Sequence, residues 1–314
     1  MRIVFCGTPE FALPSLRRLI EEPDIAIEAV ITQPDRPRGR GQQQASSPVK
    51  DAAIEAGLYV YQPERIRSDS AYEFFKRVTP DAVVIIAYGQ IIPARLLGIP
   101  RLSWINLHAS LLPRYRGAAP INWAIINGET RTGLTTMRID PGMDTGPMLL
   151  KLETEIGPDE TAPELARRMA EAGAPLIVET LHKLDRGEIV PVPQDTSQAT
   201  LAPLLKKEDG RVNWSFTAQQ IYNRIRGLQP WPAAFTTFRG QLCHIWGRPA
   251  QAPPGEMRGA SPGTLLNAGG EVLVACREAT WLRLESAQLE GRKRISANEF
   301  ANGARLRPGD RFGA

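Results

Sequence analysis

The sequence has little cysteine and little histidine, with three of each among 314 residues. Cys6, Cys243 and Cys276 are far apart and odd in number, so they indicate neither a disulfide framework nor a zinc site. The few, widely spaced histidines argue against a metal enzyme. We therefore expect no metal cofactor, and a reducing compartment fits the cysteine content best.

Long hydrophobic runs and a leader segment are also missing. The longest apolar runs, such as Ala82–Ala87, are far too short to cross a bilayer. The chain runs from Met1 directly into an apolar strand pattern, which leaves no room for a signal or transit peptide. These absences predict a cytoplasmic protein, and we expect it to be a monomer.

Two common nucleotide-binding motifs are absent. The turn after the first strand, Gly7-Thr8-Pro9, is not G-x-G-x-x-G, and no G-x-x-x-x-G-K-[ST] occurs. A dinucleotide-binding or P-loop function is therefore disfavoured.

The composition is otherwise that of a globular protein, with 42% hydrophobic and 23% charged residues. Residues 1–206 contain 23 basic and 25 acidic residues, whereas residues 207–314 contain 15 and 9. A basic final third favours a polyanionic partner such as nucleic acid. Ordinary solubilising charge is the alternative interpretation.

The first half of the chain alternates between strand and helix patterns. Apolar strand-like runs cover Ile3–Cys6, Ile25–Ile31, Tyr59–Tyr61, Asp81–Ala87 and Ser103–Leu107. Helical spacing covers residues 11–20, 52–56 and 71–78 between them. Because these strands are apolar through their length, we predict an α/β fold with a Rossmann-like, mostly parallel sheet covered on both faces.

The pattern changes after residue 132. Gly133–Ile139 and Met148–Ile156 resemble a hairpin, and Glu160–Leu184 a long helix that Pro175 bends or divides. We assign residues 1–189 to a catalytic domain and residues 190–206, rich in Pro, Ser and Thr, to a linker. One helix at 217–226 and many short strands are indicated within residues 207–314. This pattern predicts a smaller β-barrel domain.

The clearest candidate for chemistry lies at the end of the Ser103 strand. Asn106 and His108 are two residues apart, so their side chains face the same side of the sheet. Ligands of open α/β sheets bind beyond the carboxyl ends of the strands. An amide can stabilise an oxyanion there and an imidazole can move a proton near neutral pH, although the pair could simply cap the strand.

Two turn-rich segments follow. Residues 110–117 read Ser-Leu-Leu-Pro-Arg-Tyr-Arg-Gly, and residues 140–147 read Asp-Pro-Gly-Met-Asp-Thr-Gly-Pro. Two glycines and two prolines around Asp144 specify a loop of defined shape, which could hold this carboxylate against an imidazole. An acidic surface turn is the alternative.

These residues resemble the signature of the folate-dependent formyltransferases. The similarity rests on Asn106-x-His108, Ser110-Leu-Leu-Pro-x-Tyr-x-Gly117, the Asp144 loop, Phe5-x-Gly7-Thr8-Pro9-x-Phe11 and Ala87-Tyr88-Gly89-x-Ile91-Ile92-Pro93. It covers nearly the whole chain and is strongest to the members that act on charged initiator tRNA.

The resemblance implies a catalytic set and a donor. Asn106, His108 and Asp144 would catalyse transfer of the formyl group of 10-formyltetrahydrofolate to the α-amine of methionyl initiator tRNA. Asn106 and His108 would stabilise the oxyanion, while Asp144 would orient His108 and assist proton removal. The implied folate-binding residues are Ala87, Tyr88, Gly89, Ile91, Ser110, Leu111, Leu112, Pro113 and Ile139.

The resemblance also implies two regions that contact tRNA. One is the exposed, mobile loop after the second strand, with Arg36, Arg38 and Arg40 among Gly and Pro. The other is the C-terminal domain, which has an oligonucleotide-binding-type barrel in relatives and carries a net charge of +6 here. Trp214, Trp231, Trp246 and Trp281 could stack on bases, although core positions are the commoner use of tryptophan.

Other functions remain open at this point. A formyltransferase acting on a small amine, such as a purine precursor or an amino sugar, would share the catalytic set. So would a hydrolase of formyl-folate, with water as the acceptor. The arginine loop and the basic C-terminal domain favour tRNA, because a small substrate requires neither.

Overall fold

The computed structural model describes residues 1–38, 43–253 and 260–313. The chain forms two compact units. The first comprises residues 1–120, 131–155 and 165–203, and the second comprises residues 121–130, 156–164 and 204–314. Within the described residues, no helix is long and apolar enough to span a membrane.

A seven-stranded sheet forms the centre of the first unit. Its strands are β1 (Arg2–Gly7), β2 (Ala26–Ile31), β5 (Val60–Tyr61), β6 (Ala82–Ile86), β7 (Ser103–His108), β8 (Arg131–Arg138) and β9 (Met148–Glu155), while β3 (Arg36–Arg38) and β4 (Gln43–Ala45) form a separate ribbon. The order is β5-β2-β1-β6-β7-β8-β9. The first five strands in this order are parallel. β8 pairs antiparallel with β7, and β9 pairs antiparallel with β8, so β8 alone runs in the opposite direction in this sheet. This confirms the predicted mostly parallel α/β sheet.

Helices lie between these strands in the sequence or follow the last of them. They are α1 (Leu13–Glu21), α2 (Pro48–Glu55), α3 (Asp69–Val78), α4 (Ala94–Leu97), α5 (Pro120–Ile126) and α6 (Ala162–Asp185). Side chains from β1, β6 and β7 that share one face of the sheet pack with Phe74 and Phe75 of α3 into a buried core. Asn106 and His108 continue this face to the carboxyl end of β7.

Pro175 does not divide the long helix, as the sequence had suggested it could. Helix α6 runs unbroken through 24 residues with the proline inside it. Proline in a helix interior costs about 3 kcal/mol. Met169, Ile177 and Leu181, on either side of it, are buried, and each contributes about 1.5–3 kcal/mol.

The second unit contains a smaller antiparallel sheet, as predicted. Its strands are β10 (Phe235–Phe238), β11 (Gln241–Ala250), β12 (Leu265–Ala268), β13 (Glu271–Ala275), β14 (Trp281–Leu289) and β15 (Ile295–Ser296). They follow the order β10-β11-β14-β13-β12, with β15 paired to β14. The segment at residues 310–313 bridges both edge strands, Phe312 to Phe238 and Arg311 to Thr264, and so closes the sheet into a barrel.

Two helices pack against this sheet, α7 (Ala218–Gly227) and α8 (Ala297–Ala304). Phe300 of α8 lies in the buried core of the unit. The prediction of one helix after residue 207 was therefore wrong, because α8 has only eight residues and gives a weak helical period. A capping box between Ser296 and Glu299 marks its start and was the available signal.

The arginine segment is only partly a loop. Strands β3 and β4 form an antiparallel ribbon in which Arg36 lies opposite Ala45 and Arg38 opposite Gln43. Arg36 is exposed. The side chain of Arg38 and the whole of Arg40 lie outside the described residues.

Candidate active site

Asn106 and His108 lie where β7 ends, at the edge of the sheet reached by the carboxyl ends of β1 and β6. Their neighbours across the sheet are Ile85 on β6 and Thr135 on β8. His108 is buried and Asn106 is half-buried. The strand register therefore brings both polar side chains to one rim of the first unit.

The His108 ring has two different environments. Nε2 lies 2.9 Å from the backbone oxygen of Tyr115. Because a carbonyl oxygen can only accept, Nε2 carries the hydrogen. Nδ1 faces the Asp144 carboxylate, with 3.6 Å to Oδ2. In the neutral ring Nδ1 is therefore the nitrogen able to take a proton.

Asp144 is held in place from its other side. The backbone N–H of Gly117 donates to Oδ2 across 2.8 Å. Gly117 adopts a φ of 118°, and a Cβ there would lie 2.7 Å from the oxygen of Ala202, so only glycine fits. The glycine that ends the 110–117 motif thus supplies a donor to the carboxylate.

The loop around Asp144 is fixed by its own hydrogen bonds. Asp140 Oδ1 accepts from the N–H of Gly142 (3.0 Å) and from Thr145 Oγ1 (2.7 Å). A Cβ on Gly146 would lie 1.9 Å from the oxygen of Arg138. The Gly- and Pro-rich composition therefore permits a closely packed loop, as the sequence analysis anticipated.

Gln194, which the sequence analysis did not single out, also holds this loop. Its Nε2 donates to the backbone oxygens of Asp144 and Gly146, both at 2.8 Å, and its Oε1 accepts from Arg116 Nε at 2.9 Å. Gln194 lies in the segment treated as a linker, but residues 190–203 belong to the first unit. No local pattern marks this glutamine, because its partners are 48 to 78 residues away.

The Asn106 amide is available for a substrate. Among the residues that the structure describes, its side chain has no hydrogen-bond partner. A half-buried amide without a partner is poised to donate to a developing negative charge.

The predicted folate-binding residues fall on three segments. Ala87, Tyr88 and Gly89 follow β6 and residues 110–113 follow β7, at the rim where Asn106 and His108 lie. Ile139 follows the antiparallel strand β8 and its N–H donates to the oxygen of Trp104, near the amino end of β7. Ile91 is 87% exposed, which is unusual for isoleucine and suits contact with an apolar ligand.

Three of these side chains point into the protein instead. Tyr88, Ser110 and Leu112 are almost fully buried. Ser110 Oγ donates to the oxygen of Arg114 across 2.7 Å. Any contact between these three residues and a ligand would therefore use the backbone.

Thr135 on β8 shapes the 110–113 segment and was also not predicted. Its hydroxyl donates to the oxygen of Ser110 (2.7 Å) and accepts from the N–H of Leu112 (3.2 Å). Lys151 Nζ donates to the oxygen of Leu112 across 2.6 Å, and burial lowers the pKa of this lysine. The segment is thus fixed from the antiparallel strands.

A polar cluster supports the base of the arginine ribbon. Asp35 accepts from Lys50 Nζ and, across 2.9 Å, from Gln62 Nε2. These two hydrogen bonds hold the pKa of Asp35 below its usual value. Gln33 Nε2 donates to the oxygen of Tyr88 across 3.1 Å. The ribbon therefore starts from a segment fixed beside the predicted folate site.

Two family descriptions match this chain. The formyl transferase family matches residues 1–181, and the formyl transferase C-terminal domain family matches residues 204–305. Both domain types therefore occur in this chain, the C-terminal domain after the formyl transferase domain.

Full-length relatives are similar as well. A methionyl-tRNA formyltransferase of Solibacter usitatus is 56% identical, across 100% of this chain and 99% of the relative. A methionyl-tRNA formyltransferase of Acidobacterium capsulatum is 49% identical, across 100% of both.

Solved structures share the fold at low identity. The sugar 3N-formyltransferase WlaRD, solved with dTDP and 5-N-formyl-THF, is 17% identical with a TM-score of 0.67, covering 93% of this chain and 99% of that one. An N-formyltransferase from Helicobacter canadensis, solved with folinic acid and dTDP-3-aminofucose, is 18% identical with a TM-score of 0.66, covering 90% and 98%. With an Asn-His-Asp constellation at the sheet rim and relatives matched along its full length, this chain belongs to the methionyl-tRNA formyltransferase family.

Proposed function

We propose that the protein transfers the formyl group of 10-formyltetrahydrofolate to the α-amine of methionyl initiator tRNA, giving N-formylmethionyl-tRNA. The observation that carries this proposal is the 56% identity to a methionyl-tRNA formyltransferase along the full length of both chains. The sugar formyltransferases are only 17–18% identical, so their likeness concerns the fold. The +6 charge of residues 207–314 suits an RNA partner.

In this mechanism the amine attacks the formyl carbon and produces a tetrahedral oxyanion. The unpartnered Asn106 amide donates to this oxygen, and one such donor is worth about 3 kcal/mol. His108 contributes to the same charge stabilisation and receives the proton of the attacking amine at Nδ1. An α-amine titrates near pH 8, so modest help from a base suffices.

Asp144 completes the catalytic set. When Nδ1 takes a proton the ring becomes an imidazolium, because Nε2 already carries a hydrogen. The carboxylate facing Nδ1 stabilises that positive charge, while the N–H of Gly117 keeps the carboxylate in position. The proton then passes to the tetrahydrofolate nitrogen as the carbon–nitrogen bond to the donor breaks.

Folate binding is proposed for Ala87–Gly89, Ile91, Ser110–Pro113 and Ile139, and tRNA contact for Arg36, Arg38 and Arg40. Exposed Ile91 supports an apolar contact, and exposed Arg36 supports a phosphate contact. We also propose that the enzyme works as a monomer in the cytoplasm without a metal. Light scattering at assay concentration tests the oligomeric state.

One assay tests the proposed function. Purified protein is given 10-formyltetrahydrofolate with methionyl initiator tRNA, with a nucleotide-linked amino sugar, or with no acceptor. We expect formyl transfer to the charged tRNA alone. Transfer to the amino sugar without transfer to tRNA would contradict the proposal, as would release of formate at the same rate without any acceptor.

A further inference from the structure

A cavity of about 390 Å³ lies in the second unit. One wall is the turn 230–233, which follows α7, and another is formed by Leu242, His244 and Trp246. These three residues alternate along β11, so their side chains share one face of the strand. The cavity is therefore built by a turn and a strand rather than by exposed loops alone.

The four tryptophans within residues 207–314 divide into two classes. Trp214 and Trp281 are buried core residues. Trp231 is 56% exposed at the cavity wall, and Trp246 is partly buried with the Arg294 guanidinium 4.0 Å above its ring. Of these four, Trp231 and Trp246 are the ones with side-chain surface that a ligand could contact. The sequence alone could not distinguish such stacking candidates from core tryptophans.

A histidine also lines the cavity. The His244 ring lies beside that of Trp246, with 6.4 Å between the ring centroids. A planar heterocycle fits this aromatic wall, because its faces can stack on the rings.

Cationic side chains lie beside the cavity, as does the exposed Glu290, whose N–H donates to the oxygen of Leu242. Lys207 lines it, and Gln288 in its wall donates to the backbone oxygen of Arg292 across 2.9 Å. Lys207, Arg292 and Lys293 are exposed, and none forms an ion pair with a carboxylate in the described parts of the chain. Unpaired cations beside an aromatic cavity favour a ligand that carries phosphate.

We propose that this cavity binds one unpaired nucleobase of an RNA strand, with its flanking phosphates on Lys207 and on the turn 292–293. The base would stack on Trp231, beside the rings of His244 and Trp246. An unpaired base is required, because the faces of a paired base are covered by its neighbours in the duplex. The inference rests on the proposed function for the presence of RNA, but it names a separate site.

Binding measurements on the full chain test this inference. The probes are a short fluorescent oligocytidylate and an RNA duplex with the same number of phosphates. Trp231→Ala should weaken oligocytidylate binding about 10-fold, the typical effect of losing one stacked base, and leave duplex binding unchanged. Trp231→Phe keeps a ring and should recover most of the affinity.

Two further variants complete the experiment. Tyr59→Ala removes another exposed aromatic, 58% exposed in the first unit, and should bind both probes like the parent. The double variant Arg292→Gln, Lys293→Gln should weaken both probes and reduce the salt dependence of binding. The inference is overturned if Trp231→Ala binds oligocytidylate as tightly as the parent does, or if it loses affinity for both probes equally. It is also overturned if the double variant changes the affinity for neither probe.

The result also separates this inference from the proposed function. Suppose that the protein formylates tRNA and that Trp231→Ala keeps full oligocytidylate affinity. The proposed nucleobase site is then refuted, and the proposed function stands. Suppose instead that oligocytidylate binding depends on Trp231 but the protein does not formylate tRNA. The nucleobase site then stands, and the proposed function is refuted.

Discussion

At the scale of single residues, the two ring nitrogens of His108 do different things. The backbone oxygen of Tyr115 retains the hydrogen on Nε2, and the Asp144 carboxylate faces Nδ1. A backbone acceptor thus sets the tautomer, and a charged neighbour stabilises the protonated form. The proposed mechanism therefore places proton transfer at Nδ1 of His108.

Replacing His108 with Ala should lower kcat by about 10²–10⁴, because proton transfer loses its acceptor. The variant should remain folded, since burial of the neighbouring apolar residues is unchanged. Single-turnover formylation and circular dichroism measure the two effects. His182→Ala removes a partly exposed histidine from α6 and is the matched control; equal activity of both variants would contradict the assigned role.

Replacing Asp144 with Asn should lower kcat about 100-fold while the loop keeps its shape. The amide oxygen can still accept from the N–H of Gly117, but the charge that stabilises the imidazolium is lost. Asp140→Asn is the control, because the partners of the Asp140 side chain among the described residues are Gly142 and Thr145, both in the same loop. Full activity of Asp144→Asn in formyl transfer would refute the charge-based role.

At the scale of elements, the site depends on segments without regular structure. The loop 140–147 and the segment 190–203 meet through Gln194, which bridges Arg116 to two backbone oxygens. Such side-chain hydrogen bonds fix an irregular loop, just as backbone hydrogen bonds between strands fix a sheet. Gln194 is therefore a positioning residue, since it acts on Asp144 through the backbone.

Replacing Gln194 with Leu should lower kcat about 10- to 100-fold and leave the KM for tRNA nearly unchanged. The physical reason is a displaced Asp144, which a second readout can detect. Amide exchange at Gly117, whose N–H donates to Asp144, should accelerate in this variant. Gln198→Leu is the control. The Gln198 side chain lies on the same segment but donates to Asp195 instead of the Asp144 loop, so this variant should change neither quantity.

The arginine ribbon leads to the next prediction. Arg40→Gln should weaken tRNA binding about 10-fold and reduce its salt dependence, while the Kd for folate stays unchanged, because phosphate contacts act on tRNA alone. Arg17→Gln replaces an exposed arginine of α1 and is the control. Equal losses of tRNA and folate affinity would argue against the assigned contact.

At the scale of the whole molecule, carboxylates in both units link stability to pH. The backbone N–H of Arg2 donates to Asp81 and holds the pKa of this carboxyl below its usual value; the Arg101 side chain contributes a second hydrogen bond. Arg239 and the N–H of Arg307 do the same for Asp310. Since the unfolded chain binds these protons more readily, this stability is present above the unfolded pKa of about 4 and is lost as pH falls further.

The free energy of unfolding should therefore fall as the pH drops below about 5. Asp81→Asn removes one linked proton and should flatten that decline. Urea titrations at several pH values measure the slope, with Glu73→Gln, an exposed carboxylate of α3, as the control. An unchanged slope in Asp81→Asn would contradict the prediction.

The sequence alone determined the alternation of strands and helices, the face shared by Asn106 and His108, and the rim where they lie. These follow from periods of two and 3.6 residues and from turn composition, which are local properties. Its motifs also indicated the family. The short helix α8 was not predicted, because eight residues contain too few helical turns to give a clear period.

Only the tertiary structure decided which nitrogen of His108 is protonated, that Gln194 and Thr135 support the site, and which tryptophans are accessible. Gln194 reaches its partners across about fifty residues or more. Trp231 and Trp281 have the same chemistry, but packing leaves one exposed and buries the other. Such differences arise when distant segments pack together, and no local pattern of residues encodes them.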